Sequence, residues 1–139
     1  MKYIDINPSN FEEQILVFDS ALKSGTSIYA MIHATWCGAC KMVSPIWNEL
    51  REKDLNATVA YIDADVLKQL GHVIKEGDIK HFPTFMRIQG KRRFLFENPR
   101  NADVNVFMKW IKTNKKTMKN NKTIKNKRVK KSRRVSKRG

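Results

Sequence analysis

Two cysteines three positions apart, Cys37 and Cys40, are the residues of this sequence best suited to chemistry. On a helix this spacing places both side chains on one face, so the thiols can form a disulfide or exchange one with a substrate. Cys37 is the expected nucleophile, because the free N–H groups at the start of a helix stabilise an anion by about 0.3–2 kcal/mol. Cys40 is the expected resolving thiol.

Metal binding is the alternative chemistry for such a pair. A tetrahedral zinc site needs four ligands, and the histidines at positions 33, 72 and 81 are scattered without a second paired motif. Two cysteines are also too few for the disulfide framework of a small secreted domain. We therefore favour redox exchange with no metal and no cofactor, because the electrons reside on the cysteines themselves.

The elements that position the cysteines are visible in the hydrophobic pattern. Residues 27–33 form an apolar run typical of a buried strand, and this strand leads into the cysteine segment. Residues 41–53 are predicted to be helical, with Pro45 placed to kink the helix. Further strands are predicted at residues 3–6, 57–62, 84–88 and 92–96, and further helices at residues 65–75 and 102–114.

A helix is also predicted between Ser9 and Gly25. Ser9-x-x-Glu12 has the form of a capping box, and four apolar residues from Phe11 to Leu22 fall on one helical face. The resulting order, β-α-β-α-β-α-β-β-α, predicts an α/β fold. Its helices connect parallel strands, and a final hairpin adds antiparallel ones.

Two separated motifs identify a related family. The segment WCGACKMVSP, residues 36–45, resembles the active-site helix of thioredoxins and protein disulfide isomerases, including the proline five residues after the second cysteine. The segment Phe82-Pro83-Thr84 resembles the family's cis-proline segment, which faces the cysteines and pairs with the substrate backbone. The resemblance covers residues 3–114 and implies a thioredoxin fold, a central mixed sheet flanked by helices.

The resemblance also implies an activity. It indicates a thiol-disulfide oxidoreductase that acts on protein thiols and disulfides, with Cys37 and Cys40 as the catalytic pair. The residues implied to contact the substrate are Trp36, Gly38, Ala39, Phe82, Pro83 and Thr84.

A third motif precedes the last predicted helix. The segment NPRNAD, residues 98–103, is similar to the Gly-Arg-x-Ala-Asp segment of protein disulfide isomerase catalytic domains. There the arginine swings towards the active site and lowers the pKa of the second cysteine. Arg100 is the matching position and is implied to be catalytic, the alternative being a solvated loop arginine.

Two positions depart from the family pattern. The buried acid five residues before the tryptophan, a proton acceptor for the second thiol, is Met31 here, and the lysine often found near it is Tyr61. General acid–base groups often contribute about 10²–10⁴-fold to a rate, so slow turnover is expected. His33 is one candidate substitute. Strand alternation places it on the same face as Met31, and a packed histidine is the favoured interpretation.

Other large side chains are expected to pack. Trp47 and Trp110 lie at helical core spacing, and Met42 is best interpreted as core filling. Trp36 is expected at the surface beside the cysteines.

The last 25 residues differ from the rest in composition. Residues 115–139 carry 13 Lys or Arg and no acid, whereas residues 1–114 carry all 13 acids and a net charge of about +2. The segment contains few apolar residues, and their burial cannot offset the entropy lost when the segment becomes ordered. We therefore predict a thioredoxin-like domain at residues 1–114 and a disordered polybasic tail at residues 115–139.

Nucleic acid is the expected partner of the tail. Phosphate contacts would make its binding salt-dependent, and the absence of aromatic residues argues against base stacking. A nuclear localisation signal, attachment to an anionic membrane and a merely solubilising tail are the alternatives. The expected contacts are Lys125, Lys127, Arg128, Lys130, Lys131, Arg133, Arg134, Lys137 and Arg138.

The N-terminal segment and the lengths of the apolar stretches indicate where the protein is located in the cell. The first ten residues, MKYIDINPSN, lack the apolar run of a signal peptide. No apolar stretch approaches the length of a transmembrane helix. We expect a cytoplasmic or nuclear monomer. The domain with its basic tail also resembles thioredoxin-like proteins of large cytoplasmic DNA viruses. That resemblance implies a virion component near packaged DNA. The alternative function, which Met31 favours, is a nucleic-acid-associated or virion packaging or scaffold protein with a thioredoxin fold and little turnover.

Overall fold

The structure, a computed structural model, describes residues 2–97 and 102–114. Its strands are β1 (Lys2–Ile6), β2 (Ile28–His33), β3 (Thr58–Asp63), β4 (Thr84–Gln89) and β5 (Arg92–Leu95). Its α-helices are α1 (Phe11–Lys23), α2 (Gly38–Asn48) and α3, which covers 104–114. The predictions for Arg100 and for the tail fall outside these residues.

The five strands form one mixed sheet in the order β1-β3-β2-β4-β5. β1 and β2 pair with β3 in parallel, whereas β4 pairs with β2 and β5 in antiparallel fashion. The turn between β4 and β5 contains Gly90 at a φ of 59°, a conformation that favours glycine. The mixed sheet and its final hairpin are therefore confirmed.

The central strand β2 is buried along its whole length and divides two packed layers. Ile28, Ala30 and Ile32 belong to the apolar cluster that includes Phe18 of α1. Side chains of a strand alternate between the two faces of a sheet, so the residues between them face α2. His33, the last residue of β2, is therefore delivered to the α2 side.

Aromatic packing holds α2 on its face of the sheet. Trp47 of α2 is fully buried, and its indole N–H donates to the Ala60 carbonyl of β3 at 3.1 Å. Its ring lies 5.6 Å from that of Phe85 and 4.9 Å from that of Phe107. The prediction that Trp47 packs in the core is confirmed, and the same contacts fix the helix that carries the cysteines.

The predicted helix over residues 65–75 is wrong. The chain instead forms a short 3₁₀ helix, Ala64–Leu70, in which the Asp63 carboxylate accepts a hydrogen bond from the Asp65 N–H at 2.9 Å. Gly71 follows, and a second 3₁₀ turn occupies Glu76–Asp78. Glycine in a helix costs about 1 kcal/mol relative to alanine, so the apolar spacing alone does not sustain a helix here.

Two helix starts also differ from the prediction. α1 begins after Asn10 rather than Ser9, and no side chain caps it. The Asn10 amide instead donates to the Asp5 carbonyl at 2.8 Å and accepts from the Asn7 N–H at 2.9 Å. α2 begins at Gly38, three residues earlier than predicted, and continues beyond Asn48 as a 3₁₀ turn over Glu49–Glu52.

The last helix begins two residues later than predicted. The Asp103 carboxylate accepts from the Val106 N–H at 3.1 Å at its first turn. The chain divides into two compact units after Phe107, which is fully buried and belongs to the first. Beyond it, Ile111 is buried whereas Trp110 is half-buried.

Candidate active site

Cys37 lies at the junction between β2 and α2. It is the N-cap residue of α2, with an extended backbone (φ −90°, ψ 118°), and its sulfur accepts a hydrogen bond from the Cys40 N–H at 3.2 Å. A helix N-terminus presents unpaired N–H groups and the positive end of the helix dipole. The sulfur of Cys37 thus occupies the position where an anion is stabilised.

The two cysteines are free thiols with different surroundings. Cys37 is 8% exposed and Cys40 is 2% exposed, while Trp36, Gly38 and Ala39 around them are exposed. Burial raises the pKa of the Cys40 thiol to about 11, and its hydrogen bond with Cys37 adds to the shift. Cys40 therefore needs a proton acceptor before it can act as a thiolate.

The segment that precedes β4 closes one side of the site. The Phe82–Pro83 peptide bond is cis, and the Cys37 thiol donates to the Phe82 carbonyl at 3.5 Å. The Trp36 ring, 73% exposed, meets the Phe82 ring edge-on at 5.6 Å. Thr84, the first residue of β4, is buried. The predicted surface position of Trp36 beside the cysteines is confirmed.

An open cavity of about 340 Å³ lies on the other side of Cys40. Besides Cys40 it is lined by His33 from β2, Tyr61 from β3, and Ser44 and Lys41 from α2. The His33 ring stacks on the Tyr61 ring at 3.8 Å between centroids. The Tyr61 hydroxyl donates to the Ser44 hydroxyl at 2.7 Å, so one hydrogen bond connects β3 to α2 and the ring stack connects β2 to β3.

No carboxylate is among the described residues that line this cavity. Met31 is fully buried on β2 and lies opposite Tyr61 in the register of β2 and β3. Burial lowers the pKa of His33, while the nearby carboxylates of Asp63 and Asp5 oppose that shift. The His33 imidazole is consequently neutral at pH 7 and has a lone pair free to accept a proton.

The family model of thioredoxin matches residues 3–113. The chain belongs to the thioredoxin family. Its fold is the thioredoxin fold, as the resemblance of residues 36–45 and of Phe82-Pro83-Thr84 implied.

Known thioredoxin-family proteins show how far the similarity extends. The protein disulfide-isomerase tigA of Aspergillus niger is 34% identical over 92 residues, which cover 63% of this chain and 23% of that protein. Thioredoxin-1 of Saccharomyces cerevisiae is 32% identical over 69 residues, 50% of this chain and 64% of its own length. The chain therefore spans less than two thirds of either relative.

A crystal structure of Schistosoma mansoni thioredoxin gives the structural comparison. It superposes with a TM-score of 0.56 at 24% identity and covers 81% of this chain and 94% of its own. At this identity the likeness shows the thioredoxin fold alone.

Sequence reasoning missed two features of this thioredoxin-family site. Met42 was expected to fill the core but is 77% exposed, because it lies on the outer side of α2. The cavity beside Cys40 was also missed. Its signal was present, since Ser44 follows Cys40 by four residues on one helix and His33 and Tyr61 lie on one face of neighbouring strands.

Two features, a metal-binding cluster and a membrane-spanning helix, are absent from residues 2–97 and 102–114, the part of the chain that the structure describes. No group of three or more His, Cys, Asp or Glu side chains there is arranged to hold a metal ion. No helix in those residues is long and apolar enough to cross a membrane.

Proposed function

We propose that this chain is a thiol-disulfide oxidoreductase that exchanges disulfides with protein substrates through Cys37 and Cys40. The observation that carries the proposal is the position of the Cys37 sulfur. It lies at the N-cap of α2 and accepts from the Cys40 N–H at 3.2 Å, beside the exposed Trp36. Membership of the thioredoxin family supports the same activity.

The exchange proceeds in two steps. The Cys37 thiolate attacks one sulfur of a substrate disulfide, and the other substrate sulfur leaves as a thiolate with the electron pair. The Cys40 thiolate then attacks the Cys37 sulfur of this mixed disulfide and releases the second substrate thiolate. The substrate is reduced to two thiols, and Cys37 and Cys40 are oxidised to one disulfide. The reverse sequence oxidises a substrate.

The exposed surface around Cys37 is the proposed substrate site. A Cβ atom added at Gly38 would meet no atom within 4 Å, so a substrate chain can approach the helix start closely. Trp36 and Phe82 offer aromatic surface, and Pro83 follows Phe82, whose carbonyl contacts the Cys37 thiol. Thr84, also implied to contact the substrate, is buried and lies outside this exposed surface. Ala39 completes the exposed rim.

Reduction of insulin driven by dithiothreitol tests the activity. The wild-type chain should accelerate precipitation of the freed insulin chains, whereas Cys37→Ser should give the rate of dithiothreitol alone. His72→Gln is the control, because that histidine is half-exposed and contacts Asp19 instead of the cavity. A wild-type rate equal to that of dithiothreitol alone would contradict the proposal.

Two finer roles rest on the sequence. Arg100, in its isomerase-like segment, is proposed to lower the pKa of Cys40 during release of the mixed disulfide. The 13 basic residues of 115–139 are proposed to bind nucleic acid and so to target the domain, because a dense polycation displaces counterions from phosphates.

A further inference from the structure

The buried thiol of Cys40 needs a base. Only its thiolate can attack the mixed disulfide, and Cys40 is 2% exposed, so bulk water reaches it poorly. Its pKa is raised to about 11, which leaves few thiolates at neutral pH. This question rests on the proposed function, since it concerns the second step of the exchange.

The cavity beside Cys40 restricts the choice of base. Lys41 is cationic and has no lone pair to offer at neutral pH. Burial raises the pKa of Tyr61, so its hydroxyl stays protonated and donates to Ser44. Among the residues that line the cavity, this leaves the His33 imidazole as the group able to accept a proton.

We propose that His33 takes the proton of Cys40 across this cavity. It would thereby perform the role of the buried acid that the family pattern has at the position of Met31. The ring is held by its 3.8 Å stack on Tyr61, and Tyr61 is anchored to α2 through Ser44. The cavity is larger than a water molecule requires, and Ser44, Tyr61 and His33 each contribute a polar group to its lining, so a water can bridge Cys40 and His33. His33 acts as both a packed residue and a proton acceptor.

The charges around His33 suit this role. Asp63 lies opposite it on β3, and the Asp5 carboxylate acts on it from β1. Both carboxylates stabilise the imidazolium that forms, while burial keeps the resting ring neutral. Lys41 and Cys40 face the cavity from α2. A Cys40 thiolate next to the new imidazolium is stabilised by it in turn.

The proposed step conserves protons and electrons. The Cys40 S–H bond breaks and the proton passes to a nitrogen of His33. The Cys40 thiolate attacks the Cys37 sulfur, the bond between Cys37 and the substrate breaks, and the substrate thiolate leaves with the electron pair. The proton of His33 then returns to solvent or to the leaving thiolate.

Stopped-flow reaction of the reduced full chain with equimolar dithiobis(nitrobenzoate) separates the two steps. The first nitrothiolate is released when Cys37 attacks, and its rate depends on concentration. The second is released when Cys40 resolves the mixed disulfide, at a rate independent of concentration. His33→Phe keeps a ring against Tyr61 but removes the acceptor. It should slow the second release by about 100-fold and change the first by less than about twofold.

The pH profile separates proton transfer from packing. The wild-type second release should fall as the pH drops through the pKa of His33, which lies below 6.5. In His33→Phe it should instead rise about tenfold per pH unit towards the pKa of Cys40. His33→Gln, measured in parallel, should show the same slowing and provides the result if the Phe variant does not fold. His72→Gln is the matched control and should behave as wild type.

Other results would overturn the proposal. An unchanged second release with the wild-type pH profile in both His33 variants would exclude His33 as the acceptor. Equal slowing of both releases would assign it a purely structural role. Failure of the proposed function would look different, since the wild-type chain would then give no second release at all.

Discussion

Cys37 and Cys40 lie on one helix but meet different surroundings. The Cys37 sulfur takes the place of a capping side chain and accepts the Cys40 N–H, whereas Cys40 faces a cavity between α2 and the sheet. The helix N-terminus stabilises a thiolate at Cys37, whereas burial disfavours a thiolate at Cys40. We expect this asymmetry to fix the order in which the thiols react.

Replacement of each cysteine tests that order. Cys40→Ser should attack a substrate disulfide once and stay attached to it, because nothing then resolves the bond at Cys37. Intact mass spectrometry should show one covalent adduct per chain. Cys37→Ser should form none at the same substrate concentration. Equal adduct formation by the two variants would contradict the assignment of nucleophile and resolving thiol.

Replacement of Arg100 tests the role proposed from its isomerase-like segment. Arg100→Ala should slow release of the mixed disulfide without slowing its formation, because a positive charge near Cys40 would favour its thiolate. Rapid acid quenching and separation of the adduct measure both rates. Arg92→Ala, on the edge strand β5, is the control. Unchanged release in Arg100→Ala would reject the role.

At the scale of elements, the strands could be predicted and the short helices could not. All five strands were placed to within one or two residues, because a buried strand needs little beyond an apolar run, and the turn at Gly90 placed the exposed strand β5. The cysteine motif placed Cys37 at the start of a helix, as observed, whereas the helical pattern alone began at residue 41, because a cysteine sulfur is not a usual capping group. The predicted helix over residues 65–75 is instead a 3₁₀ helix that ends at Leu70, before Gly71, and glycine is unfavourable inside a helix.

The candidate site was predictable in its motifs but not in its cavity. Cys37, Cys40 and Phe82 come together as their motifs implied. Whether His33 merely packs or also faces the Cys40 thiol depends on the distance between α2 and the sheet. That distance follows from the packing of Trp47 and Phe85, and local spacing does not encode it.

Two tryptophans of the same region should respond differently to truncation. Trp47→Ala removes a fully buried ring and its hydrogen bond to Ala60, so the free energy of unfolding should fall by about 3–5 kcal/mol. Trp36→Ala removes an exposed ring and should change it by less than about 0.5 kcal/mol. Urea denaturation measures both, and equal losses would contradict the assignment of core and surface.

At the scale of the whole molecule, charge is segregated along the chain. Residues 1–114 are nearly neutral and contain the motifs of exchange chemistry, whereas residues 115–139 carry 13 basic residues and no acid. This division suggests that chemistry and location are encoded separately. A variant that alters one segment should therefore leave the function of the other intact.

Neutralising the tail tests this separation. A full chain with the Lys and Arg residues of 125–138 replaced by Gln should lose salt-dependent DNA binding. For six to ten phosphate contacts, the wild-type affinity should fall by about 10³–10⁵ between about 50 and 200 mM salt. The Gln-substituted chain should reduce insulin at the wild-type rate. Fluorescence anisotropy measures the binding, and equal affinity of the two chains would exclude the tail as the DNA-binding segment.

Equilibration in glutathione buffers tests whether Cys37 and Cys40 cycle as one redox pair. After acid quenching, free thiols are alkylated and counted by mass. We expect a single two-electron transition in which both thiols disappear together, at a potential between about −270 and −180 mV. Two thiols that stay free at every glutathione ratio, or that titrate independently, would contradict it.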